Sequence, residues 1–235
     1  MINALSKQLP LIFNRYEEAS YENYYTGNNT EVVAHLQSLV KNPSFTENTY
    51  LFSCQGIGRS HLLQAACHHA NQAGMSTIYI PLLQNQLWTP DVLVGLESIS
   101  LICLDDIQAI AGNVIWEEAI FHLYNREQTA HSRLVVTANA LPKAIQVSLP
   151  DLVSRLSWGV VYQLQALQDQ EKLVMLMMRA ARRGMTLSED VARYILTHCP
   201  RHMSILISAL DVLDKASLAA KRRLTVPFVK EVLQI

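Results

Sequence analysis

Five short apolar runs punctuate the first two thirds of the chain: "NTYLFSC" (48–54), "STIYIPL" (76–82), "SLICLDD" (100–106), "SRLVVTAN" (132–139) and "VVYQLQAL" (160–167). Helix-patterned segments separate them. Thr30 to Val40 has apolar residues at helical spacing, "SHLLQAACHHANQAG" opens at Ser60 and is closed by Gly74, and "NVIWEEAIFHLYNREQTA" and "LPDLVSRLSWG" follow, the last stopped by Gly159. Asp91, after a proline, opens a short helix. The runs do not alternate apolar with polar residues. A strand of that kind is buried on both faces, and strands alternating with helices make a parallel sheet covered on both sides. Ligands on such sheets sit outside the carboxyl ends of the strands. A glycine turn, two carboxylates and "TAN" fall at those ends.

After about residue 166 the strands cease. "DQEKLVMLMMRAARRG", "SEDVARYILTHC", "MSILISALDVLDKASLAAKR" and "TVPFVKEVLQI" read as four helices, with Asp169 and Ser188 as N-caps and Gly184 as a C-cap. The predicted organisation is a polar tail over 1–20, an α/β domain over 21–166 and a small all-helical domain over 167–235. The 235 residues are half hydrophobic and 17% charged, which describes a globular protein with a real core. A formal net charge of −1 gives the whole chain no attraction to nucleic acid or an anionic membrane. No window approaches the ~18 apolar residues of a transmembrane helix, and the N-terminus lacks a secretory pattern. The four cysteines, at 54, 67, 103 and 199, form no C-x-x-C pair, so a zinc site is not expected and a reducing cytoplasm is.

The chemistry concentrates in four places. "FSCQGIGRSHLL" resembles the phosphate-binding pattern G-x-x-x-x-G-K-[ST], with Gly58 and Ser60 in place, Ser53 at the first glycine and Arg59 at the lysine. Gly56 and Gly58 permit close backbone approach, and a helix N-terminus favours phosphate. The Ser60 hydroxyl can reach a magnesium ion, and Arg59 keeps a positive charge with a larger, planar head. A plain βα turn is an equal reading of the loop by itself. The acids Asp105 and Asp106 end a buried strand downstream. One acid there would read as a helix cap, but two after a glycine loop favour a nucleotide site, with Asp105 on magnesium. Asn139 ends the next strand, placed either for a γ-phosphate or for a turn. Arg155 closes a short helix, as a cation complementing the helix terminus or as an arginine finger for a partner's site. The methionines at 175, 177 and 178, the histidines at 61, 68 and 69 and the basic "KRR" at 221–223 are read as core, helix surface and solvated face.

Taken in order, the loop, "LDD", "TAN", "SRL…WG" and a helical lid resemble an AAA+ ATPase of the branch that contains the replication initiator DnaA and its smaller homologue Hda. "GRSHLLQAAC", "AIFHLYNR", "LPDLVSRLSWG" and "RRLTVPFVKEVL" are similar to the Hda-like members, and the resemblance spans the chain. It implies a five-stranded P-loop domain with a lid and no C-terminal helix-turn-helix for origin DNA. It implies binding to the DNA polymerase III sliding clamp through "QLPLIF", with Gln8 as polar anchor and Leu9, Leu11 and Phe13 as apolar plugs. DNA is then met only through the clamp. It further implies stimulated hydrolysis of ATP on DnaA, with Arg155 as the finger acting in trans; such fingers raise turnover by roughly 10³–10⁵. ADP, with or without magnesium, is the implied ligand of the chain's own loop, contacted by Tyr24, Tyr25, Gly56, Gly58, Arg59, Ser60, His61, Asp105, Asp106 and Asn139. The branch normally places a lid arginine where this sequence has Ser204. Arg201, three residues earlier on about the same helical face, is the candidate to replace it, and without such a replacement the loop holds its nucleotide less firmly. Ser53, Arg59 and Ser204 together predict little intrinsic ATP hydrolysis. A self-contained AAA+ ATPase that remodels or loads a partner, self-associating or not, is the rival reading, and a binding module without a nucleotide is a third.

Overall fold

The computed structural model describes residues 19–41, 48–130 and 132–235. The strands β1 (Thr49–Phe52), β2 (Thr77–Pro81), β3 (Leu101–Asp105), β4 (Arg133–Ala138) and β5 (Val160–Gln163) form one parallel sheet in the order β2-β3-β4-β1-β5. In β3 and β4 every residue is buried. The two-residue repeat of a strand divides their side chains between two cores. Leu51, Leu101, Cys103 and Val135 face α1 (Thr30–Lys41) and α2 (Arg59–Gln72). Tyr50, Ile102, Leu104, Leu134 and Val136 face α3 (Val114–Ala130) and α4 (Pro150–Leu156). Each large aliphatic side chain fully buried this way is worth about 1.5–3 kcal/mol. This explains why the apolar runs are continuous.

The two edge strands differ from the expectation of burial on both faces. Residues of β5 alternate between half-buried and exposed, and in β2 only Ile80 is buried. Each has a strand neighbour on one side only, so its outer side is open although Ile80, Tyr79 and Tyr162 still pack on the two cores.

The lid is built from α5 (Asp169–Arg182), α6 (Glu189–His198), α7 (Met203–Ala220) and α8 (Val226–Leu233). Its own core contains Leu176, Ala192, Ile195, Leu206, Leu210, Leu213 and Val229. The N-cap of α5 is Gln168 and not Asp169: the Gln168 N–H donates to the Glu171 carboxylate at 2.7 Å. Asp169 already lies in the first turn, where its carboxylate pairs with Arg201 at 2.7 Å. Ser188 does stand at the N-cap of α6, without a side-chain bond to the helix.

A segment before α1 joins the two parts. The Asn29 side chain donates to the Gln165 carbonyl at 2.9 Å and accepts from the Gln165 N–H at 2.7 Å, fastening the chain where it leaves β5 for the lid. Arg182 of α5 reaches back to Asn23 at 2.9 Å. Tyr24 and Tyr25 are thereby carried between sheet and lid.

Candidate nucleotide site and finger helix

The loop between β1 and α2 contains Gly56 and Gly58, with φ of 83° and 107°. Both are left-handed angles that glycine adopts without the penalty of a Cβ. Gly58 is the N-cap of α2 and offers no side chain, so the first N–H groups of the helix, with Ser60 in its first turn, have no capping side chain on them. Two rings close on the loop. A Cβ on Gly58 would stand 3.1 Å from Tyr24, and one on Gly56 would stand 3.2 Å from Nδ1 of the lid residue His202.

Arg59 does not point out of the loop. Its guanidinium is buried beneath it and bridges the ends of three adjacent strands. Nη2 pairs with Asp106 Oδ1 at 2.6 Å, just past β3. Nη1 donates to the carbonyl of Ala138 at 2.8 Å, at the end of β4, and to that of Ser53, just past β1. Side-chain exposure of the ion pair is 8% and 9%, so water competes little for either charge. Arginine's fork suits this triple task, which a single ammonium could not serve in the same geometry.

The carboxylates are equally engaged. Asp105 accepts the Tyr79 hydroxyl at 2.6 Å on Oδ2 and the Thr137 hydroxyl on Oδ1. Thr137 in turn accepts the Asp106 N–H at 2.9 Å. Asp106 has a left-handed backbone, φ 59° and ψ 55°, a region that aspartate tolerates better than most residues. Gln108 donates to Asp106 Oδ1 at 2.9 Å and accepts the Asn139 N–H at 3.1 Å. The chain Arg59–Asp106–Gln108–Asn139 thus brings four groups to one sheet end, while the Asn139 side chain stays exposed. Tyr79 and Gln108 carried no sequence signal of their own, and Thr137 only as part of "TAN".

These partners decide how magnesium fits. Ser60 and Asp105 are the expected ligands, yet both Asp105 oxygens already accept hydroxyl protons and Oδ1 of Asp106 holds Arg59 and Gln108. Among the described residues, no group of three or more His, Cys, Asp or Glu is arranged to hold a metal ion. The phosphate side of the site fits better: two left-handed glycines and an uncapped helix start offer N–H groups to an anion.

His61, one turn into α2, stacks on Tyr24 with ring centroids 5.7 Å apart. Its Nε2 donates to the Ser20 carbonyl at 3.0 Å, and Nδ1 faces Nη2 of Arg179 at 3.5 Å. Burial pushes the imidazole pKa down to about 4, the Ser20 bond pulls it back in part, and the Arg179 charge lowers it further. His61 is therefore neutral at neutral pH. Burial also raises the Tyr24 phenol to about 12. Tyr25 packs against the lid core. From the lid, the arginine beside these residues is Arg179 of α5, which sequence reasoning missed. Arg201 is largely exposed and bound to Asp169, and Ser204 is exposed in the first turn of α7.

Arg155 stands apart from this network, in the last turn of α4 with its guanidinium 5.2 Å from the centre of the Trp158 ring. Trp158 is 63% exposed. Gly159, at φ 114°, follows at once, and a Cβ there would overlap the Asn48 carbonyl oxygen. The other end of α4 is fixed by Glu117 of α3. This carboxylate is 0% exposed and accepts from the N–H groups of Gly112 at 2.7 Å, Ser148 at 3.0 Å and Leu149 at 2.8 Å. Gln8, Leu9, Leu11 and Phe13 lie outside the described residues.

The family model for the bacterial DnaA ATPase domain matches residues 16–163, well over half of the chain. The chain belongs to that family. A second model, for the lid domain of Hda, matches residues 169–233, so this is an AAA+ protein of the DnaA branch with an Hda-type lid. Membership places it in a DnaA-related replication regulator family. Domain III of the Thermotoga maritima replication initiation protein DnaA superposes with a TM-score of 0.80 at 17% identity, covering 92% of this chain and 96% of that one. AMPPCP-bound DnaA from Aquifex aeolicus gives 0.69 at 21% identity, covering 85% and 66%. The Holliday junction branch migration motor RuvB from Thermotoga maritima gives 0.68 at 15% identity, covering 88% and 68%. At these identities the likeness is one of fold. No helix among the described residues is long and apolar enough to cross a membrane.

Proposed function

We propose that this DnaA-branch protein is an adaptor that switches off the replication initiator. Gln8, Leu9, Leu11 and Phe13 tether it to the DNA-loaded sliding clamp. Arg155 enters the ATP site of DnaA and stabilises the charge that develops as the γ-phosphate leaves. The chain's own loop holds ADP through the backbone of Gly56 to Ser60, with Tyr24, Tyr25 and His61 beside it.

The observation that carries this reading is the Arg59–Asp106 pair. A P-loop cation bound to its own carboxylate and to two strand-end carbonyls is poorly set to follow a γ-phosphate through a reaction. Hydrolysis is then the partner's, and the half-buried Arg155 with the exposed Trp158 beside it is what this chain offers to it. The Glu117 rivet at the start of α4 supports the same view, because a finger works best on a fixed base.

The test is a reconstituted assay of DnaA-bound ATP with clamp loaded on DNA. Wild-type protein should accelerate hydrolysis. Arg155→Ala should keep clamp binding and lose the acceleration, and Gln8→Ala should lose clamp binding while staying folded. Robust ATP turnover by the purified chain alone, with ATP-dependent self-assembly, overturns the adaptor reading in favour of a self-contained AAA+ ATPase.

A further inference from the structure

We infer that a nucleoside diphosphate enters this loop without a magnesium ion, because Arg59 stands where the metal and its carboxylate ligands would meet. The inference rests on the reading that the loop holds ADP.

Magnesium sites in P-loop proteins lie among the strand ends, between a hydroxyl at the helix start, a carboxylate after the third strand and the phosphates. In this chain that space is spanned by one planar cation. The Arg59 guanidinium touches the residue past β1, the last residue of β4 and the residue past β3, which are the ends of three neighbouring strands. A divalent ion drawn to Asp106 Oδ1 would have to displace a buried cation and take the Arg59 donor from two carbonyls, of which that of Ala138 keeps only the Ser53 N–H at 3.2 Å. One drawn to Asp105 would have to break the bonds from Tyr79 and Thr137, and the second of these hydroxyls also accepts the Asp106 N–H that holds the left-handed backbone. Magnesium demands near-ideal octahedral geometry from oxygens it can reach, and dehydrates reluctantly. The three engaged carboxylate oxygens do not offer that.

The neutralising task of the metal is already done from within. Arg59 balances Asp106 permanently, so the loop does not need an external cation before it can tolerate phosphate. Attraction for a diphosphate then comes from the N–H groups of the glycine turn and the start of α2. Arg179 brings a second fixed positive charge to the Tyr24–His61 side.

The experiment is titration calorimetry of the purified full chain with ADP, once in EDTA and once in millimolar magnesium chloride. ADP should bind in EDTA at least as tightly as in magnesium, since magnesium only sequesters the free nucleotide. Binding that strengthens roughly tenfold or more when magnesium is added overturns the inference and leaves the ADP reading standing. No heat or competition in either buffer overturns the ADP reading, and the inference with it. Arg59→Lys supplies the converse: a single ammonium cannot hold all three strand ends, Asp106 is released, and ADP binding by this variant should become magnesium-dependent. A variant that folds, binds ADP and still ignores magnesium counts against Arg59 as the stand-in.

Discussion

Replacing Arg59 by methionine removes the cation beneath the loop while keeping much of its aliphatic volume. Three charge-assisted bonds disappear, to Asp106 Oδ1, Ser53 O and Ala138 O, and Asp106 is left buried with only Gln108 on that oxygen. Side-chain exposure of 8% and 9% means that water cannot restore what is lost. Breaking a buried pair by deleting one partner costs about 3–5 kcal/mol, most of it from the stranded charge. If stranding is the main term, removing the second charge must give part of it back. The double variant Arg59→Met/Asp106→Asn is therefore expected to be no less stable than Arg59→Met, with a coupling energy of about 2–3 kcal/mol in the cycle. Urea unfolding followed by far-ultraviolet circular dichroism, without nucleotide, measures all four corners. A single variant that loses under ~1 kcal/mol would show that the pair is not structurally important. A double variant equal to the sum of the singles would show that the charges do not speak to each other.

With a folded pKa of about 4 against about 6.5 unfolded, His61 makes stability fall with pH between those values, because the unfolded chain takes up the proton first; above pH ~6.5 it contributes no slope, and the full loss is about 3 kcal/mol. Comparing wild type with His61→Gln across that window isolates the effect, and parallel curves would refute it. Glu117→Gln replaces one accepting oxygen by a donor facing backbone N–H groups, and should destabilise by roughly 2–4 kcal/mol in a thermal melt. Gly159→Ala should cost more than ~1 kcal/mol in the same assay, from the left-handed backbone and the clash with Asn48, and a neutral result would mean that β5 can shift its register.

The fold was legible where burial leaves a continuous trace in sequence. The uninterrupted apolar cores of "SLICLDD" and "SRLVVTAN", Leu101–Leu104 and Leu134–Val136, reflect coverage of both faces, and the structure makes these segments β3 and β4. The lid was legible from helical spacing and from Gly184, which closes α5. The N-cap of α5 was misread because Gln168, Asp169 and Glu171 are all polar candidates, and a distant residue, Arg201, claims the aspartate. In the site, the glycines and acids could be named but not their state. Whether Arg59 points towards a ligand or back under the sheet depends on a carboxylate 47 positions away. The donors on Asp105 come from a tyrosine on an edge strand, which has no motif, and from the threonine of "TAN", where the asparagine drew the reading. Glu117 was the hardest to see. On a helix in "IWEEAIF" it reads as a surface acid, and only the approach of backbone 31 and 32 residues downstream buries it.

The Glu117 rivet has a consequence for how this region can drift. Its partners at 148 and 149 are main-chain N–H groups, which every residue but proline possesses. The serine at 148, and the leucine at 149 within the limits of its packing on the core, can be exchanged for other residues without removing the bonds that aim α4. A mutational scan of the connector should tolerate substitution at exposed Ser148, accept apolar replacements at half-buried Leu149 and reject proline at both, while position 117 accepts almost nothing else. The aim of the finger helix is thus stored in one side chain and in the backbone, where the sequence around Arg155 hardly records it.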